Sequence, residues 1–381
     1  MNKKNPTPEM QAQTPAKKKK KGSGVFGRIV RRFFLLLFTV VLLVLSALVL
    51  LMNLVFNGPS PAAQEVLTMS LIEASATKWV PALFIGEDRV AEIRSSSGGE
   101  LEEEVTDTSK VVIQKNNAIT STSDEWANYP DGIRIERYSG DTYNAHIMII
   151  RDPSTVYMGT STEKYSTAIP GKRITEMMEA NPDAVAAINA GAFFDDGTAG
   201  SSVGSYPLGL VMAEGKCVWS SGKQPGLEGF AGFNEDNILV VSKSNLSQAE
   251  AEKLNIRDGC CFGPALIINE EINMEAYNTA SGYNPRTAIG QRSDGAVIFV
   301  CIDGRQASSL GGTYADIINI MVEYGAVNAC NMDGGSSSVM MYRDTQGLFG
   351  EAGAVTMINN YSLLQSQPRK MPNFWMVRSA E

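Results

Sequence analysis

Apolar positions follow two different patterns along the chain. Residues 33–56 form a run without a single charge, interrupted by only three polar residues. At about 1.5 Å per residue, a helix of this length spans the roughly 30 Å hydrocarbon layer of a bilayer. From Tyr129 onwards, apolar residues come instead in short runs punctuated by glycine. We therefore predict a transmembrane helix followed by a domain rich in strands.

The short apolar runs predict β-strands because they are continuous or alternate with polar residues, and turn residues bound them. The segment "AEGKCVW" predicts a hairpin that turns at Glu214–Gly215. The predicted strands lie at residues 133–138, 145–151, 184–189, 208–213, 237–242, 265–268, 296–303 and 374–377.

Helices are fewer, and we predict them at residues 174–180, 247–255 and 313–325. Capping boxes begin the last two, with Ser247 and Glu250 in one and Thr313 and Asp316 in the other. Gly325 suits the end of the third helix. Residues 62–85 could form one or two short helices near the bilayer. Strands outnumber helices without regular alternation, so we predict the α+β class: a single mixed-sheet catalytic domain behind an N-terminal transmembrane helix.

Charge is unevenly distributed along the chain. The first 32 residues carry seven Lys and three Arg against one Glu, although the whole chain has a formal charge of -8. The positive-inside rule then predicts a basic cytoplasmic tail (1–32), a transmembrane helix (33–56), a membrane-proximal segment and linker (57–128) and an extracellular domain (129–381). We expect residues 1–27 to be disordered and 94–110 to be a linker. A cleaved signal peptide is the alternative, but the apolar run exceeds its usual length.

Several common kinds of chemistry do not fit the composition. The acidic remainder lacks the basic surface that nucleic-acid binding needs. A Ser-His-Asp triad would depend entirely on the one histidine, His146, which lies in a strand-like run. Five cysteines without a CxxC pair predict buried free thiols, with a vicinal Cys260–Cys261 disulfide as the alternative. We expect no cofactor and no metal, although Asp303 and Asp333 could hold a divalent cation near phosphate.

Polar residues instead concentrate at strand ends in "AINAGAFFDD", "NPRTAIG", "VCIDGRQASSLGGTYADI" and "NACNMDGGSSS". Each segment alone is typical of a turn. Together they bring carboxylate, guanidinium and carboxamide groups to successive strand ends. Arginine suits phosphate, and the amides of Gly311, Gly312 and Thr313 at a helix start could bind an anion. Asp303 and Asp333 could do acid–base work on a sugar.

These segments, with "PLGLVMAEGK" and "CFGPALIINE", resemble the phosphodiester glycosidase family from about His146 to the C-terminus. That family includes an animal enzyme that removes N-acetylglucosamine from phosphodiester-capped mannose, and many bacterial exopolysaccharide-associated proteins. Ser336 stands where members often have a third glycine. The resemblance implies hydrolysis of a sugar-1-phosphodiester at the glycosidic carbon.

Roles for individual residues follow from this resemblance. Arg286 and Arg305 would bind phosphate, and a carboxylate would activate water or stabilise an oxocarbenium-like centre. Glycines after Asp333 would let the backbone approach the ligand closely, and Ser336 or Ser337 would donate a hydrogen bond. The candidate catalytic residues are Asp333 and, as second choice, Asp303, and the candidate substrate-binding residues are Arg286, Arg305, Asn189, Asn331, Gly191, Gly312, Thr313, Gly334, Gly335, Ser336 and His146.

Alternatives remain open at several points. Phe193 and Phe194 could stack on a sugar or belong to the core, and His146 could be purely structural. A non-catalytic glycan-binding or exopolysaccharide assembly protein could use the same pocket, and polymer transfer could replace hydrolysis. The expected partners are a carbohydrate phosphodiester and the lipid bilayer, and no nucleic acid.

Overall fold

A computed structural model describes residues 25–72, 77–95, 104–111, 125–129, 131–194, 203–223, 227–279, 281–344, 347, 349, 351–361 and 367–379. The chain divides into two compact units, Met1–Leu54 and Val55–Glu381. Most of the predicted disordered tail, residues 1–24, lies outside the described residues.

Helix α1 (Val25–Phe56) contains the long apolar run. Within its segment Gly27–Phe56, an 18-residue window has a mean hydropathy of 3.2, and the segment is long enough to cross a membrane. Length and composition alone support this assignment, and a signal sequence would meet the same criterion. The second unit opens with α2 (Pro61–Ile72) and α3 (Val80–Ser95), which match the short helices predicted there.

Three antiparallel sheets form the rest of the second unit. Every pairing between described strands is antiparallel, because hairpins and long returns connect them. The α+β class is confirmed, while the strands are divided over three sheets instead of the mixed sheet expected. The first sheet contains β1 (Ile133–Ser139), β2 (Asn144–Ile150), β13 (Val297–Ile302), β12 (Arg286–Arg292), β14 (Ala326–Met332), β10 (Ala265–Ile268) and β11 (Glu271–Ile272), in that order.

The two other sheets have five strands each. The second sheet runs β16 (Val355–Met357), β15 (Met340–Arg343), β4 (Ala184–Asn189), β17 (Asn373–Arg378) and β3 (Val156–Thr160). The third runs β6 (Lys216–Ser220), β5 (Leu210–Ala213), β9 (Ile256–Cys261), β7 (Phe230–Asn234) and β8 (Leu239–Ser242). The remaining helices are α4 (Ile174–Ala180), α5 (Gln248–Lys253), α6 (Met274–Asn278) and α7 (Tyr314–Glu323).

All three sheets contribute to one central core. Phe299 from the first sheet, Trp375 from the second and Phe233 from the third are fully buried in it. The other face of the first sheet is covered by α7, through residues such as Ile317 and Met321. Burial on both faces explains why these strands are continuously apolar in sequence.

Each predicted strand overlaps an observed strand, and the predicted hairpin turns where Glu214 and Gly215 both have positive φ. Strands β7 and β9 were not predicted because Gly232 and Gly259 interrupt their apolar pattern. These glycines face each other across the two strands, and the Phe230 ring occupies the space that a Cβ at either position would need. A residue that usually breaks a strand is therefore required here by close packing.

The predicted linker is partly incorporated into the domain. Its first part, up to residue 103, is described only at residues 94 and 95, whereas Thr106 is buried. The Thr106 amide donates to Val241 O at 3.0 Å, and its hydroxyl donates to Asn328 Oδ1 at 3.0 Å. The five cysteines are free thiols, as predicted, so Cys260 and Cys261 form no vicinal disulfide.

Candidate active site

The six residues after β14, Asp333–Ser338, form a loop that we call the site loop. Its backbone is fixed at both ends of the first turn: the Asp333 amide donates to Ala190 O at 3.1 Å, and the Gly335 amide donates to Pro285 O at 2.8 Å. Gly335 has φ +63°, a conformation that glycine adopts without strain. The loop therefore has one defined shape where the first and second sheets meet.

Asn189 connects the two sheets beneath the site loop. It ends β4, is fully buried, and accepts hydrogen bonds from Thr287 Oγ1 at 2.8 Å and from the Val339 amide at 3.1 Å. Its Nδ2 donates to the backbone oxygen of Asp333. These contacts engage the side chain with protein atoms, so Asn189 positions the site loop instead of pointing at a ligand.

Arg305 lies against the first turn of the site loop and is exposed to solvent. Its Nη2 donates to Asn284 Oδ1 at 3.1 Å. A Cβ at Gly335 would lie 3.2 Å from the same nitrogen. The absence of a side chain at position 335 thus lets a guanidinium approach the loop backbone closely. The close approach of a ligand to the two glycines stays a prediction.

A second arginine, Arg369, also contacts the loop and was missed by sequence reasoning. Its Nη1 donates to Ser336 Oγ at 3.3 Å, and its guanidinium lies 4.8 Å from the centre of the Phe193 ring. The signal available was weak, since Arg369 lies in "QPRKMP" and not in one of the strand-end segments. The contact with Ser336 also gives that residue a polar role in the loop.

Tyr361 lies between the two arginines and the loop. Its hydroxyl donates to Ser336 O and accepts from the Arg369 amide at 3.3 Å. Burial raises the pKa of this phenol, while the hydrogen bond from Arg369 and the charges of Arg369 and Arg305 act in the opposite direction. Tyr361 thus contacts the site loop and the backbone of Arg369, and both guanidinium charges oppose the effect of burial on its pKa.

Arg286, the other predicted phosphate ligand, is buried. Its Nε donates to Gly312 O at 3.1 Å, its Nη2 donates to Ser281 O and Gly282 O, and its guanidinium stacks on Tyr314 at 4.3 Å. These contacts join the start of β12 to the start of α7. The arginine therefore holds the loop before β12 in place, and that loop carries Asn284, the partner of Arg305.

Asp303 and His146 lie on the opposite face of the first sheet from Arg286. Arg286 pairs with Ile302 on the neighbouring strand, so these two side chains lie on the same face of the sheet. Asp303 follows Ile302, so its side chain points to the opposite face. Its carboxylate contacts His146 Nε2 at 3.2 Å and accepts from Asn360 N at 2.9 Å and Asn360 Nδ2 at 2.8 Å. Asp303 is only 1% exposed, which does not suit a group that must reach a substrate.

The helix start at Gly311, Gly312 and Thr313 is also satisfied within the protein. The three amides donate to Thr142 O at 3.4 Å, Asn284 O at 3.0 Å and Asp316 Oδ2 at 2.7 Å. An anion at this position would have to displace these acceptors. The sequence-based expectation of an anion site here is therefore not met, because the capping box and the neighbouring loop use the donors.

Gly191 and Asn331 occupy the floor of the region. A Cβ at Gly191 would lie 2.9 Å from Cys260 Cβ, so this glycine permits close packing against β9. Asn331 donates to Gly263 O at 2.9 Å, and its Oδ1 is buried without a hydrogen-bond partner among the described residues. The Ser337 hydroxyl is likewise buried without a hydrogen-bond partner among the described residues. Buried acceptors without partners are costly, so both atoms are candidates for contact with a polar ligand.

The half-buried Asp333 is the carboxylate of the site loop, and Gly334 follows it with extended backbone. The structure thus brings together Asp333, Gly334, Gly335, Ser336 and Arg305 from the predicted set and adds Arg369 and Tyr361. It places Asp303, His146, Arg286 and Asn189 in supporting, buried positions. Among the described residues, no cluster of three metal-ligating side chains is present.

Comparison with known proteins gives matches in sequence and in structure. Residues 182–378 match the family model described as phosphodiester glycosidase. An uncharacterized SPbeta prophage-derived protein, YomE from Bacillus subtilis, is 26% identical over 192 residues, which cover 49% of this chain and 27% of that protein. The chain thus spans about a quarter of the length of this relative.

Two solved structures are similar at low identity. The zebrafish N-acetylglucosamine-1-phosphodiester alpha-N-acetylglucosaminidase catalytic domain, auto-inhibited by its pro-peptide, is 20% identical and covers 65% of this chain and 82% of its own, with a TM-score of 0.47. A hypothetical protein from Synechocystis is 16% identical and covers 65% of this chain and 61% of its own, with a TM-score of 0.41. The family model spans just over half of the 381 residues and confirms the resemblance noted in the sequence. The chain belongs to the phosphodiester glycosidase family.

Proposed function

We propose that this chain is a membrane-anchored hydrolase that cleaves a sugar-1-phosphodiester in envelope glycans, with its catalytic domain outside the cell. The observation that carries the proposal is the pair of arginines, Arg305 and Arg369, which approach Gly335 and Ser336 of the loop that begins at Asp333. Two guanidinium groups around a glycine-containing loop suit a phosphodiester, because each offers several donors in a planar array.

The chemistry that we propose needs few groups. The bond between the anomeric carbon and the phosphate oxygen breaks, and its electron pair leaves with the phosphate monoester. The oxygen of a water molecule bonds to the anomeric carbon. Asp333 either accepts a proton from this water or stabilises the positive charge that develops on the sugar. The phosphate monoester is a good leaving group, so the burial of Asp303 and His146 away from the loop is compatible with turnover.

Activity of the full chain in detergent micelles tests this proposal. Wild type should release reducing sugar from a GlcNAc-1-phosphodiester. The Asp333→Asn substitution should reduce kcat by 100-fold or more, on the order expected for a lost acid–base group. Arg305→Gln and Arg369→Gln should mainly raise KM. Arg378→Gln is a matched control, because Arg378 also stacks on an aromatic ring, Tyr157, at 4.3 Å.

Two results would count against hydrolysis. Binding without turnover by folded wild type, across several sugar-1-phosphodiesters, would favour the glycan-binding or assembly alternative. A product joined to an added acceptor alcohol would indicate transfer. Equal activity of Asp333→Asn and wild type would rule out the assigned carboxylate.

The membrane assignment needs a separate test. We expect the chain to stay with membranes through an alkaline carbonate wash, since α1 carries the uncharged apolar run of residues 33–56 within a candidate span of 30 residues. Protease added outside intact cells should digest the C-terminal domain if the basic N-terminus is cytoplasmic. Release of the whole domain by the wash would support a cleaved signal sequence instead.

A further inference from the structure

Three aromatic side chains form a continuous row, which we call the aromatic platform: Phe194, Tyr206 and Trp219. The rings of Phe194 and Tyr206 are stacked, with centroids 5.1 Å apart and planes inclined by 8°. Trp219 continues the row at 5.6 Å from Tyr206, inclined by 42°. Phe194 is 43% exposed at the end of the row.

The platform is held by the backbone beneath it. The Phe194 amide donates to Tyr206 O at 3.0 Å, and the Leu208 amide donates to Ala192 O at 2.9 Å, so the two segments are paired. Tyr165 packs edge-on against Trp219 at 5.8 Å. Phe194 thus presents a large apolar ring to water at the end of a packed aromatic row, and covering such a ring with a ligand is favourable.

Phe193 connects the segment of the platform to the site loop. It is buried and carries the Arg369 guanidinium on its ring at 4.8 Å, and Arg369 in turn donates to Ser336. Phe193 and Phe194 are consecutive residues of a paired extended segment, so their side chains point to opposite faces of it. The backbone before Tyr206 also packs against the residue after Arg369, because a Cβ at Gly204 would overlap with Lys370 O. A ligand that contacts both Arg369 and the platform would therefore pass around the edge of this segment.

We infer that the aromatic platform binds a pyranose ring of the phosphodiester substrate, which rests on the proposed function of the neighbouring loop. One face of a pyranose presents several C–H groups and packs on an aromatic ring, while its hydroxyl groups at the edge remain hydrogen-bonded to water or protein. The outer face of Phe194 offers this surface, and Tyr206 supports it from behind.

Steady-state kinetics of the full chain with two substrates tests the inference. The first substrate is the methyl diester of N-acetylglucosamine 1-phosphate, and the second carries mannose in place of methyl. Phe194→Ala should raise KM at least fivefold with little change in kcat, and Phe194→Trp should restore it. Met274→Ala is the control, because Met274 has the same exposed fraction, 43%, on α6.

The two substrates locate the bound ring. If Phe194→Ala raises KM for both substrates, the platform binds the sugar that is released. If it raises KM for the mannose diester alone, the platform binds the sugar on the other side of the phosphate. An unchanged KM for both in Phe194→Ala would overturn the inference.

A binding experiment separates this inference from the proposed function. If wild type turns over neither substrate, saturation-transfer NMR with the mannose diester still reports contact between sugar protons and the protein. Signals that are present in wild type and lost in Phe194→Ala would support the platform although hydrolysis had failed. Signals that persist in Phe194→Ala, or no signals from wild type, would overturn it.

Discussion

At the scale of single residues, the proposed phosphate site depends on which acceptors surround each guanidinium group. Arginine was expected at a phosphate, yet Arg286 spends its donors on three backbone carbonyls, whereas Arg305 and Arg369 border the site loop. Sequence identifies a guanidinium but not which acceptors surround it. Two of the acceptors of Arg286 lie in the segment just before β12, at residues 281 and 282, but the third, Gly312 O, comes from a loop 26 residues away.

Gly335 allows a direct test of the contact between the site loop and Arg305. Gly335→Ala would place a methyl group 3.2 Å from Arg305 Nη2 at a φ of +63°, so we expect both a loss of about 1–2 kcal/mol in stability and a clear rise in KM. Gly325→Ala is the matched control, because Gly325 has φ +78° and nothing within 4 Å of its added Cβ. If both variants lose similar stability but only Gly335→Ala has impaired activity, the contact between the site loop and Arg305 is confirmed. Equal activity in both variants would contradict it.

Asn189 tests whether the backbone position of Asp333 matters. Asn189→Ala removes two accepted hydrogen bonds and the donor to Asp333 O, so we expect a loss of at least about 3 kcal/mol and a fall in kcat beyond that of the control. Asn328→Ala is that control, since the buried Asn328 accepts from the Asn269 amide at 2.9 Å and from Thr106 Oγ1 at 3.0 Å, away from the site loop. Denaturant unfolding and initial rates measure both effects. Matching kcat values in the two variants would show that Asn189 acts on stability alone.

At the scale of secondary-structure elements, local signals were sufficient for every described α-helix except α6 and for about half of the described strands. Both capping boxes formed as the sequence indicated, and α4 has the predicted bounds. The strands that were missed, such as β7 and β9, depend on a partner: paired glycines are favourable only because the Phe230 ring covers them. Long-range packing of this kind leaves no periodic signal in either strand alone.

The two capping boxes should differ in their importance. Thr313→Ala removes the side-chain cap of α7, which packs Ile317, Ile320 and Met321 on the first sheet, so we expect a loss of about 1–2 kcal/mol in the free energy of unfolding. Ser247→Ala should cost less, because α5 has six residues and only Ala251 is buried. Urea unfolding of the two variants measures the difference, and equal losses would contradict it. A rise in KM specific to Thr313→Ala would show that the helix start contacts substrate after all.

At the scale of the whole molecule, the arrangement of three sheets around one core could not be read from the sequence. The apolar runs predict that strands are buried but not which strands become neighbours, and β12, for example, lies between β13 and β14 through pairings set by residues far apart. One consequence of this core is that ionisable groups are enclosed. Cys260, Cys261, Cys301 and Cys330 are all buried, and burial raises the pKa of each thiol.

This enclosure predicts a loss of stability in alkaline solution. Burial raises the pKa of Cys261 from 9.0 to about 11, so the folded thiol stays protonated where the unfolded one ionises. A group with a raised pKa in the folded state stabilises it fully below pH 9, and this contribution is lost as the pH rises towards 11. A difference of two pH units corresponds to roughly 3 kcal/mol for one thiol. Burial likewise raises the pKa of Tyr157 to about 12, which extends the loss above pH 10.

Denaturant unfolding of the full chain in detergent at half-unit steps from pH 8 to 11 measures this dependence. The free energy of unfolding should be nearly constant to pH 8.5 and then fall progressively more steeply. Cys261→Ala should lower the starting stability, because the Leu210 amide loses its acceptor Sγ at 3.3 Å, yet its stability should fall less between pH 9 and 10.5. Identical pH profiles for wild type and Cys261→Ala would mean that the thiol titrates equally in both states. The core around β9 would then admit water, contrary to the packing that unites the three sheets.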